Sequence, residues 1–547
     1  MDLKPQHHVN PWIVTISVML ATFMEVLDTT VVNVSIPHIS GNLGATYEEG
    51  TWVVTSYLVS NAIILPLSGW LATYFGRKRL LMFCVGGFAL TSVLCGASTS
   101  LSSLITFRVL QGITGGGMQP LSQSILLETF PPKKHGYAMA AFGIGVILAP
   151  ILGPTLGGWI TDNYTWRWIF YLNIPVGLVS LMMIGNFVRD PEYIKRKPGG
   201  VDIWGIGFLA VGLGTLQIIL DTGQRKDWWA SYNIRVLVFF CILGLVAFVI
   251  RELVIANPVV DLRVLKDRAF ATGVLLISMV GFTLYASLVL LPMYLETLLG
   301  YPALQAGLAL SPRGIGALFA MPVVGILVSK FDARKVLAFG FLCGAWSMYS
   351  LSRLNLNAGY WDVCWPQVVQ GVAMAAMFTP LAAASVSHIA KERIGNASSI
   401  FNLMRNIGGS FGIAVMTTFV ARRTQMHQNR LVERISAVDP THTVQEMLKQ
   451  WTAYFQSQGT DWVTATQRAY GATYMQVQQH ASMLSFVEAF RMMAWLFIAL
   501  LALVFLLRNT NRDTSQVSKK PESKPRRRKH AEAPEELQVE QPEVVEV

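Results

Sequence analysis

Two carboxylates lie inside the first long apolar run, in the stretch FMEVLDTTVVNVSIP at residues 23–37. Glu25 and Asp28 are three residues apart, so both would lie on one face of a helix. An acid at a bilayer's centre costs roughly 2.5–3.5 kcal/mol on insertion scales, and such residues usually mark ion or substrate pathways. Two carboxylates this close cannot both ionise cheaply, so we expect at least one to hold a proton. The pair predicts a proton-handling site; the alternative is two structural acids paired with an arginine elsewhere.

A lone arginine, Arg108, interrupts a later apolar run. Counted along their helices, Arg108 and Asp28 both lie roughly 10–13 Å below the predicted outer membrane boundary, at 1.5 Å per residue. Equal depth favours an ion pair, direct or through water. Gln111 lies one turn from Arg108 on the same face. We therefore predict that Glu25, Asp28 and Arg108 form one proton-coupling group; a static clamp between Asp28 and Arg108 is the alternative.

Two further arginines, Arg313 and Arg405, lie within apolar runs of the second half of the chain. A buried arginine in a membrane needs a partner or a watery cavity. Together with Gln111 they are candidates for the wall of a substrate cavity, where they would disfavour strongly cationic substrates. A purely structural role for both arginines is an equal alternative.

A glycine-rich run, GIGVILAPILGPTLGG, occupies residues 143–158. Small residues recur every four positions, which lets helices approach closely; they are Gly145, Ala149, Gly153 and Gly157, with Gly158 following. Pro150 and Pro154 interrupt the hydrogen-bond ladder and bend a helix. The run predicts a helix that packs tightly and can pivot, and packing is the simpler interpretation.

The elements that must position these residues are membrane helices. Of the 547 residues, 52% are hydrophobic and 14% are charged, whereas a soluble protein carries about a quarter charged residues. Apolar runs of membrane length recur about fourteen times. They lie near 12–38, 51–73, 80–98, 102–127, 136–160, 168–187, 202–220, 233–254, 270–295, 303–329, 335–351, 362–388, 395–421 and 483–507.

Lys and Arg concentrate in alternate gaps between these runs. They are Arg77, Lys78, Arg79, Lys133, Lys134, Arg189, Lys195, Arg196, Lys197, Arg263, Lys266, Arg268, Lys330, Arg334, Lys335, Lys391 and Arg393. Because positive loops stay on the cytoplasmic side, both termini are predicted to be cytoplasmic. The first helix shows no cleavage site and is expected to be retained.

An internal repeat relates the two halves. GWLATYFGRKRLL at 69–81 aligns with GILVSKFDARKVL at 325–337, and LQGITGGGMQPL at 110–121 aligns with VQGVAMAAMFTPL at 369–381. Six spans repeated in one orientation form a parallel repeat. The position that aligns with Arg108 is Gln367, and residues 281–284, which match the acids, read GFTL. The charges therefore mark the first half as the coupling half.

The predicted organisation has seven parts. They are a cytoplasmic N-terminus (1–11), an N-terminal six-helix bundle (12–188), linkers with two extra transmembrane helices (189–268), five helices of a C-terminal bundle (269–421), an outer loop (422–482), the last transmembrane helix (483–507) and a disordered cytoplasmic tail (508–547). Residues 445–455 in the outer loop predict a short amphipathic helix.

Several chemistries have no signature in the sequence. There is no Walker A loop, zincin helix or Rossmann fingerprint after a strand, so ATP hydrolysis and covalent catalysis are not indicated, and no enzyme is predicted. The five cysteines lack metal-ligand spacing, so no metal site is predicted. The net charge of +11 reflects topology and does not indicate nucleic acid.

The motifs together resemble the major facilitator superfamily, and within it the fourteen-span drug:proton antiporters of the EmrB/QacA type. LDTTVVNVSIP resembles that family's first-helix motif, RVLQG its fourth-helix motif and GVILAPILGPTLGG its fifth-helix antiporter motif. GWLATYFGRKR, with Gly69, Gly76, Arg77 and Lys78, resembles the loop motif of the superfamily, except that Thr73 stands where many members have Asp. WRWIFYLNIPVG at 166–177 is also similar.

This resemblance implies an all-α polytopic membrane protein with the major-facilitator fold: two six-helix bundles plus two additional central helices, fourteen transmembrane helices in all. It implies proton-driven export of small hydrophobic or amphipathic toxic compounds across the bacterial inner membrane, with Asp28 and Arg108 at positions tied to coupling and no cofactor besides the proton gradient. It also implies a periplasmic membrane-fusion adaptor and an outer-membrane channel as partners. The alternatives are an exporter of a metabolite, siderophore or lipid, and a non-transporting receptor or assembly platform.

Overall fold

The structure is a computed structural model that describes residues 10–131, 134–190, 202–255, 258–386, 389–390, 393–434 and 443–504. Within these ranges the chain forms α-helices and short 3-10 turns, with no β-strand. The all-α prediction is therefore confirmed for this part. The predictions for residues 1–9, for the tail at 508–547 and for five of the basic gap residues lie outside the described ranges; those five are Lys133, Lys195, Arg196, Lys197 and Lys391.

The helices fall into two bundles with a hairpin between them. The first bundle comprises α1 (Pro11–Asn42), α2 (Tyr47–Phe75), α3 (Arg77–Gly96), α4 (Leu101–Gly115), α5 (Met118–Thr129), α6 (His135–Asn163), α7 (Trp168–Tyr171) and α8 (Asn173–Phe187). The hairpin comprises α9 (Ile203–Thr222) and α10 (Tyr232–Val254). The second bundle comprises α11 (Arg268–Thr297), α12 (Ala303–Lys330), α13 (Ala333–Leu351), α14 (Tyr360–Ser385), α15 (Ile394–Arg434), the short α16 (Thr443–Ser457) and α17 (Trp462–Val504).

Every predicted span overlaps a helix or a pair of helices. In the described part of the chain, eleven helices are long and apolar enough to cross a membrane. The predicted spans that fall outside those eleven are 102–127, which is split between α4 and α5, 335–351 on α13 and 395–421 on α15. The helical fold is thus established, while the number fourteen stays a prediction. Below, the end of the molecule where α1 begins is the Pro11 end, and the other is the Asn42 end.

Local sequence signals set the helix boundaries. Thr46 accepts a hydrogen bond from the backbone N–H of Glu49, and the Glu49 carboxylate accepts one from the backbone N–H of Thr46. This reciprocal cap begins α2. Asp267 accepts hydrogen bonds from the backbone N–H groups of Ala269 and Phe270 and so caps the first turn of α11. The predicted amphipathic segment 445–455 lies inside α16.

The second bundle repeats the helix boundaries of the first. α2 begins at Tyr47 and α12 at Ala303, an offset of 256 residues. α6 begins at His135 and α15 at Ile394, an offset of 259 residues. These are the offsets at which the sequence motifs align. Each of these helices in the first bundle therefore has a counterpart in the second at the same place in the chain order, as a parallel repeat requires.

Helix α6 packs against both bundles. On one side Gly153 and Gly157 lie against α1, so closely that a Cβ on Gly157 would sit 3.0 Å from the Val31 carbonyl oxygen. On the other side Gly136 lies against Gly325 of α12. The small-residue stripe is what permits the first contact, because larger side chains would hold the helices apart.

The α9–α10 hairpin spans the seam between α2 and α15. Asp221 at the end of α9 bonds to Thr55 of α2. One helical turn earlier, Gln217 accepts a 3.1 Å hydrogen bond from Ser410 of α15. The hairpin thus holds one helix of each bundle, and its apolar outer face is exposed, as expected for a surface in contact with lipid.

The two helices of the hairpin are joined at the Pro11 end by an ion pair. Arg251 near the end of α10 donates hydrogen bonds of 3.0–3.2 Å to both carboxylate oxygens of Asp202, the residue before α9. This guanidinium holds the pKa of Asp202 below its usual range. Because the contact is bidentate, it fixes the orientation of the two helices as well as their distance.

We expect Gly153→Leu to destabilise the protein and Gly158→Leu to leave it nearly unchanged. A side chain on Gly153 would overlap Thr30 of α1, whereas a Cβ on Gly158 meets nothing within 4 Å. Overpacking of this kind costs about 1–3 kcal/mol. The check is the thermal unfolding midpoint of each purified variant in detergent. Equal midpoints for the two variants would contradict the packing role of the stripe.

Candidate functional site

Asp28 and Arg108 form a buried ion pair between α1 and α4. Arg108 Nη1 lies 2.6 Å from Asp28 Oδ2, and both side chains are 0% exposed. The guanidinium also donates from Nε to the Val53 carbonyl oxygen at 3.0 Å, and its Cζ lies 4.2 Å from the centre of the Tyr57 ring. The pair is therefore enclosed by α1, α2 and α4 with no access to solvent.

Amides complete the coordination of Asp28. Its Oδ1 accepts hydrogen bonds from Asn173 at 2.8 Å and from Gln111 at 3.2 Å. Gln111 Oε1 in turn accepts from Arg108 Nη1 at 2.7 Å, and Ser92 accepts from both amides. Arg108, Asn173 and Gln111 thus all donate to Asp28, whose two carboxyl oxygens both accept hydrogen bonds.

Glu25 lies on the same helix in a different environment. Its Oε1 accepts a 3.0 Å hydrogen bond from Asn61 of α2. Its Oε2 is buried and has no hydrogen-bond partner among the described residues. No salt bridge joins Glu25 to a cation in the described part of the chain, although Arg405 of the second bundle acts on it through space. The two predicted acids thus differ: both carboxylate oxygens of Asp28 accept hydrogen bonds, whereas only one carboxylate oxygen of Glu25 does.

A series of polar contacts joins the two bundles between the level of Glu25 and Asp28 and the Pro11 end. Arg405 of α15 bonds to Gln119 of α5. One turn away, Asn402 donates a 2.5 Å hydrogen bond to Gln123, and the Ser68 and Ser399 hydroxyls are 2.9 Å apart. The bundles are therefore in direct contact from about the depth of Glu25 towards the Pro11 end.

The loop motif forms a second group of contacts at the Pro11 end. Arg77 is buried and pairs with Glu128 of α5. The backbone N–H of Lys78 donates to Asp190 Oδ1 at 2.8 Å, and Lys78 Nζ donates to the Gly185 carbonyl oxygen at 2.6 Å. An acidic partner for Arg77 is thus present, although it comes from α5 and not from position 73.

Gly69 and Gly76 of the same motif serve close approach and a turn. Gly69 lies against the backbone of Gly395 and Asn396 at the start of α15, within 3.1 Å of an added Cβ. Gly76 has a φ of 88° and separates α2 from α3. A side chain is disfavoured at that φ, so the loop keeps its tight geometry only with glycine.

The remaining predicted residues divide between the two bundles. Gln111 belongs to the Asp28 cluster and is fully buried, so it does not face an open cavity here. Arg405 contacts the opposite bundle, as described above. Arg313 of α12 is also fully buried, and its Nε donates to Gln367 Oε1 at 2.9 Å. Gly145 lies against Met19 of α1, and Pro150 and Pro154 lie inside α6.

Sequence reasoning missed several members of these clusters. They are Asn61, Asn173, Gln119, Glu128 and Asp190. The first three are polar residues inside apolar runs, which is a signal that could have been read, since buried amides need partners. Glu128 and Asp190 lie close to the ends of helices, where acidic residues are common. Which residues they contact depends on tertiary packing.

Comparison with known proteins gives a consistent assignment. The family model described as "Major Facilitator Superfamily" matches residues 18–413. The chain is 38% identical to the multidrug export protein EmrB of Escherichia coli (strain K12), over 92% of this chain and 96% of that protein. It is 38% identical to the fatty acid resistance protein FarB of Neisseria gonorrhoeae, over 90% and 95% of the two chains. The fold is also that of the human organic anion transporter MFSD10, with a TM-score of 0.57 at 13% identity, over 92% of this chain and 100% of that one.

We expect Arg108→Gln to destabilise the protein strongly. Removing one member of a buried ion pair costs about 3–5 kcal/mol, because the other charge is left without a partner. The thermal unfolding midpoint of the purified protein at pH 7.5 measures this loss. The double variant Arg108→Gln/Asp28→Asn leaves no unpaired charge and should recover part of it. A double variant no more stable than the single one would argue against the pair.

We expect Arg77→Gln to loosen the Pro11 end, whereas Arg79→Gln, at an exposed neighbouring position, should not. Because the Arg77 and Glu128 side chains are only 4% and 12% exposed, loss of one partner should cost about 3–5 kcal/mol, as for other buried pairs, and should raise the fraction of molecules in which the Pro11 end is open. The measurement is maleimide labelling of a cysteine placed at Ser399, buried between the bundles, in a background without the native cysteines. Equal labelling rates in both variants would contradict the idea that the Arg77–Glu128 pair keeps the Pro11 end closed.

Proposed function

Because the chain belongs to the major facilitator superfamily and, within it, to the EmrB-like drug exporters, we propose that it is a proton-coupled antiporter that exports small hydrophobic or amphipathic toxic compounds. The proteins it resembles carry names that refer to chemically different compounds, including fatty acids. Such a range fits an exporter that recognises compounds by shared physical properties, and not one that recognises a single molecule. The likeness extends over 92% of this chain and 96% of the Escherichia coli protein, so the proposal concerns both bundles and the hairpin together.

The observation that carries the coupling proposal is the contrast between Glu25 and Asp28. Protonating Asp28 would break its ion pair with Arg108 and two further hydrogen bonds. Protonating Glu25 breaks no ion pair in the described part of the chain, and by distance and angle its Oε2 accepts no hydrogen bond there. We therefore assign proton uptake and release to Glu25. Asp28 and Arg108 would hold α1 and α4 in a fixed position relative to each other. Their charges would remain close to Glu25.

The mechanism we propose is alternating access of two bundles. Here the bundles touch at the Pro11 end through Gln119, Gln123 and Ser68 of the first bundle and their partners on α15. Arg405 of that same α15 is close enough to Glu25 for the two charges to attract each other. Proton binding at Glu25 removes a negative charge that attracts Arg405, which biases the contact between the bundles. Coupling requires that the protonated form bind substrate more weakly, since equal affinity would shift nothing.

The distribution of charge and the lengths of two helices support a proposal for the orientation and the partners. We propose that the Pro11 end is cytoplasmic, with both termini there, in a bacterial inner membrane, because the basic gaps lie at this end. α15 has 41 residues and α17 has 43, whereas about 20 suffice to cross a bilayer. Both helices extend past the Asn42 end and carry α16 between them. We propose this projection as the contact for a periplasmic membrane-fusion adaptor, which would lead to an outer-membrane channel.

Two other functions remain as alternatives on the same scaffold. An exporter of one metabolite, siderophore or lipid would share the proton site and differ in substrate range, which a panel of toxic compounds in a pump-deleted host would reveal. A non-transporting receptor or assembly platform would bind ligands without flux. The buried acids of the first bundle favour a transporter, since binding alone does not require them.

We expect Glu25→Gln to lower export driven by a pH gradient by at least about tenfold, because an amide cannot carry the proton. Purified protein in proteoliposomes, with a neutral lipophilic dye such as Nile red as cargo, provides the measurement. Asp461→Asn, at an exposed acid that begins α17, is the control and should export normally. Full export by Glu25→Gln would remove Glu25 from coupling, and full export by a Glu25→Gln/Asp28→Asn double variant would refute proton coupling through this pair.

A further inference from the structure

We propose that a groove on the outer face of the second bundle binds an anionic phospholipid, with one acyl chain in the groove and the phosphate beside Lys335. The inference goes beyond the proposed function, because it concerns a lipid that stays bound and not a compound that is exported. It comes from comparing the outer faces of the two bundles.

The groove is formed by α12, α13 and α14. Its volume is about 560 Å³, and the side chains that line it are apolar except for Lys335. On α12 it is lined by Ile315, Phe319 and Val323, which are 54%, 72% and 54% exposed. Small-molecule sites have volumes of about 300–1,000 Å³. This face is therefore a cleft with room for a ligand, and not a flat surface in contact with lipid.

The internal repeat identifies the corresponding face of the first bundle. Gly112 of α4 lies against the backbone of Tyr57 of α2, and Gly371 of α14 lies against the backbone of Arg313 of α12. These two contacts are related by the offsets of the repeat, 256 residues from α2 to α12 and 259 from α4 to α14. Each residue of α2 therefore corresponds in space to the residue of α12 that lies 256 positions later.

In the first bundle, the hairpin covers this face. By the same offset, Val59 and Ile63 correspond to Ile315 and Phe319. A Cβ added to Gly214 of α9 would sit 3.6 Å from the side chains of both Val59 and Ile63. In the part of the chain that the structure describes, no helix covers Ile315 and Phe319 in this way, since both are more than half exposed. The position that the hairpin fills on one bundle is thus open on the other.

The length of the groove fits the acyl chain of a lipid. Its α12 wall extends from Ile315 to Phe331, which is roughly 24 Å at 1.5 Å per residue. One leaflet contributes about half of the roughly 30 Å hydrocarbon core, so a chain from one leaflet can lie in the groove along its whole length. A transmembrane helix of a partner would cross the entire core and would extend beyond the groove.

Lys335 supplies the charge that favours an anionic headgroup. It lies in the first turn of α13 at the Pro11 end of the groove, where Lys330 is also exposed. Within the described ranges, no salt bridge involves either lysine. The neighbouring carboxylate of Asp332 accepts a 3.0 Å hydrogen bond from the backbone N–H of Arg334 and so caps α13. Basic pockets between transmembrane helices bind anionic lipid headgroups, and a lipid whose chain fills the groove would place its phosphate beside Lys335.

Binding of two lipids to the delipidated full-length protein tests the inference. They are dioleoylphosphatidylglycerol, which is anionic, and dioleoylphosphatidylcholine, which is zwitterionic, and native mass spectrometry at pH 7.5 measures the affinity of the first lipid bound. Lys335→Gln should weaken phosphatidylglycerol binding about fivefold, the contribution of one lysine near a membrane surface, and change phosphatidylcholine binding by less than about twofold. Arg79→Gln, at the corresponding exposed position of the first bundle, is the matched control and should change neither affinity.

A second pair of variants tests the apolar part of the groove. Val323→Trp places a ring in the groove and should weaken the binding of both lipids to the same extent. Leu318→Trp, at a similarly exposed position of α12 that does not line the groove, should weaken neither. Because both positions are exposed, neither ring should overpack the core.

Three results would overturn the proposal. The first is equal affinity of the wild-type protein for the two lipids, and the second is an equal effect of Lys335→Gln and Arg79→Gln on phosphatidylglycerol binding. The third is a dimer that Val323→Trp dissociates, because the groove would then hold a second copy of the chain and not a lipid.

Discussion

The structure depends on how three guanidinium groups are kept away from water. Arg108, Arg313 and Arg405 are each at most 1% exposed, and a cation that is removed from water must be met by acceptors. Arg108 meets a carboxylate and an amide, Arg405 two amides and the face of Phe378, and Arg313 an amide alone. Only Arg108 has an anion as its partner in the described part of the chain. Arg405 and Arg313 lie where the bundles meet, so the cations without a counter-ion are next to the surfaces that alternating access would separate.

The fold and the main ion pair could be predicted from sequence, because each depends on local patterns. Apolar runs give the helices, the two repeat offsets give the pairing of helices between bundles, and equal depth gives Asp28 and Arg108. Asn61 is visible in the sequence as a polar residue inside an apolar run, but its pairing with Glu25, like that of Glu128 with Arg77, could not be predicted, since both depend on tertiary packing. The loop motif illustrates this limit: Thr73 suggested a missing acid, and the acid is supplied from α5 instead.

The comparison of the halves shows a second limit of sequence reasoning. Aligned positions indicate that Gln367 replaces Arg108 and thus that the charge is lost. The second bundle nonetheless contains a buried guanidinium between the corresponding helices, because Arg313 of α12 bonds to Gln367 of α14. An alignment compares position with position and does not detect a buried cation that a neighbouring helix supplies.

The α9–α10 hairpin has a mechanical consequence. It is bonded to α2 through Asp221 and to α15 through Gln217, and α6 and α12 are in contact on another seam. The hairpin therefore bridges the two bundles on one side, and the contact of α6 with α12 joins them on another. Alternating access as proposed above would require that one of these connections break or that the bundles move only as far as both connections allow.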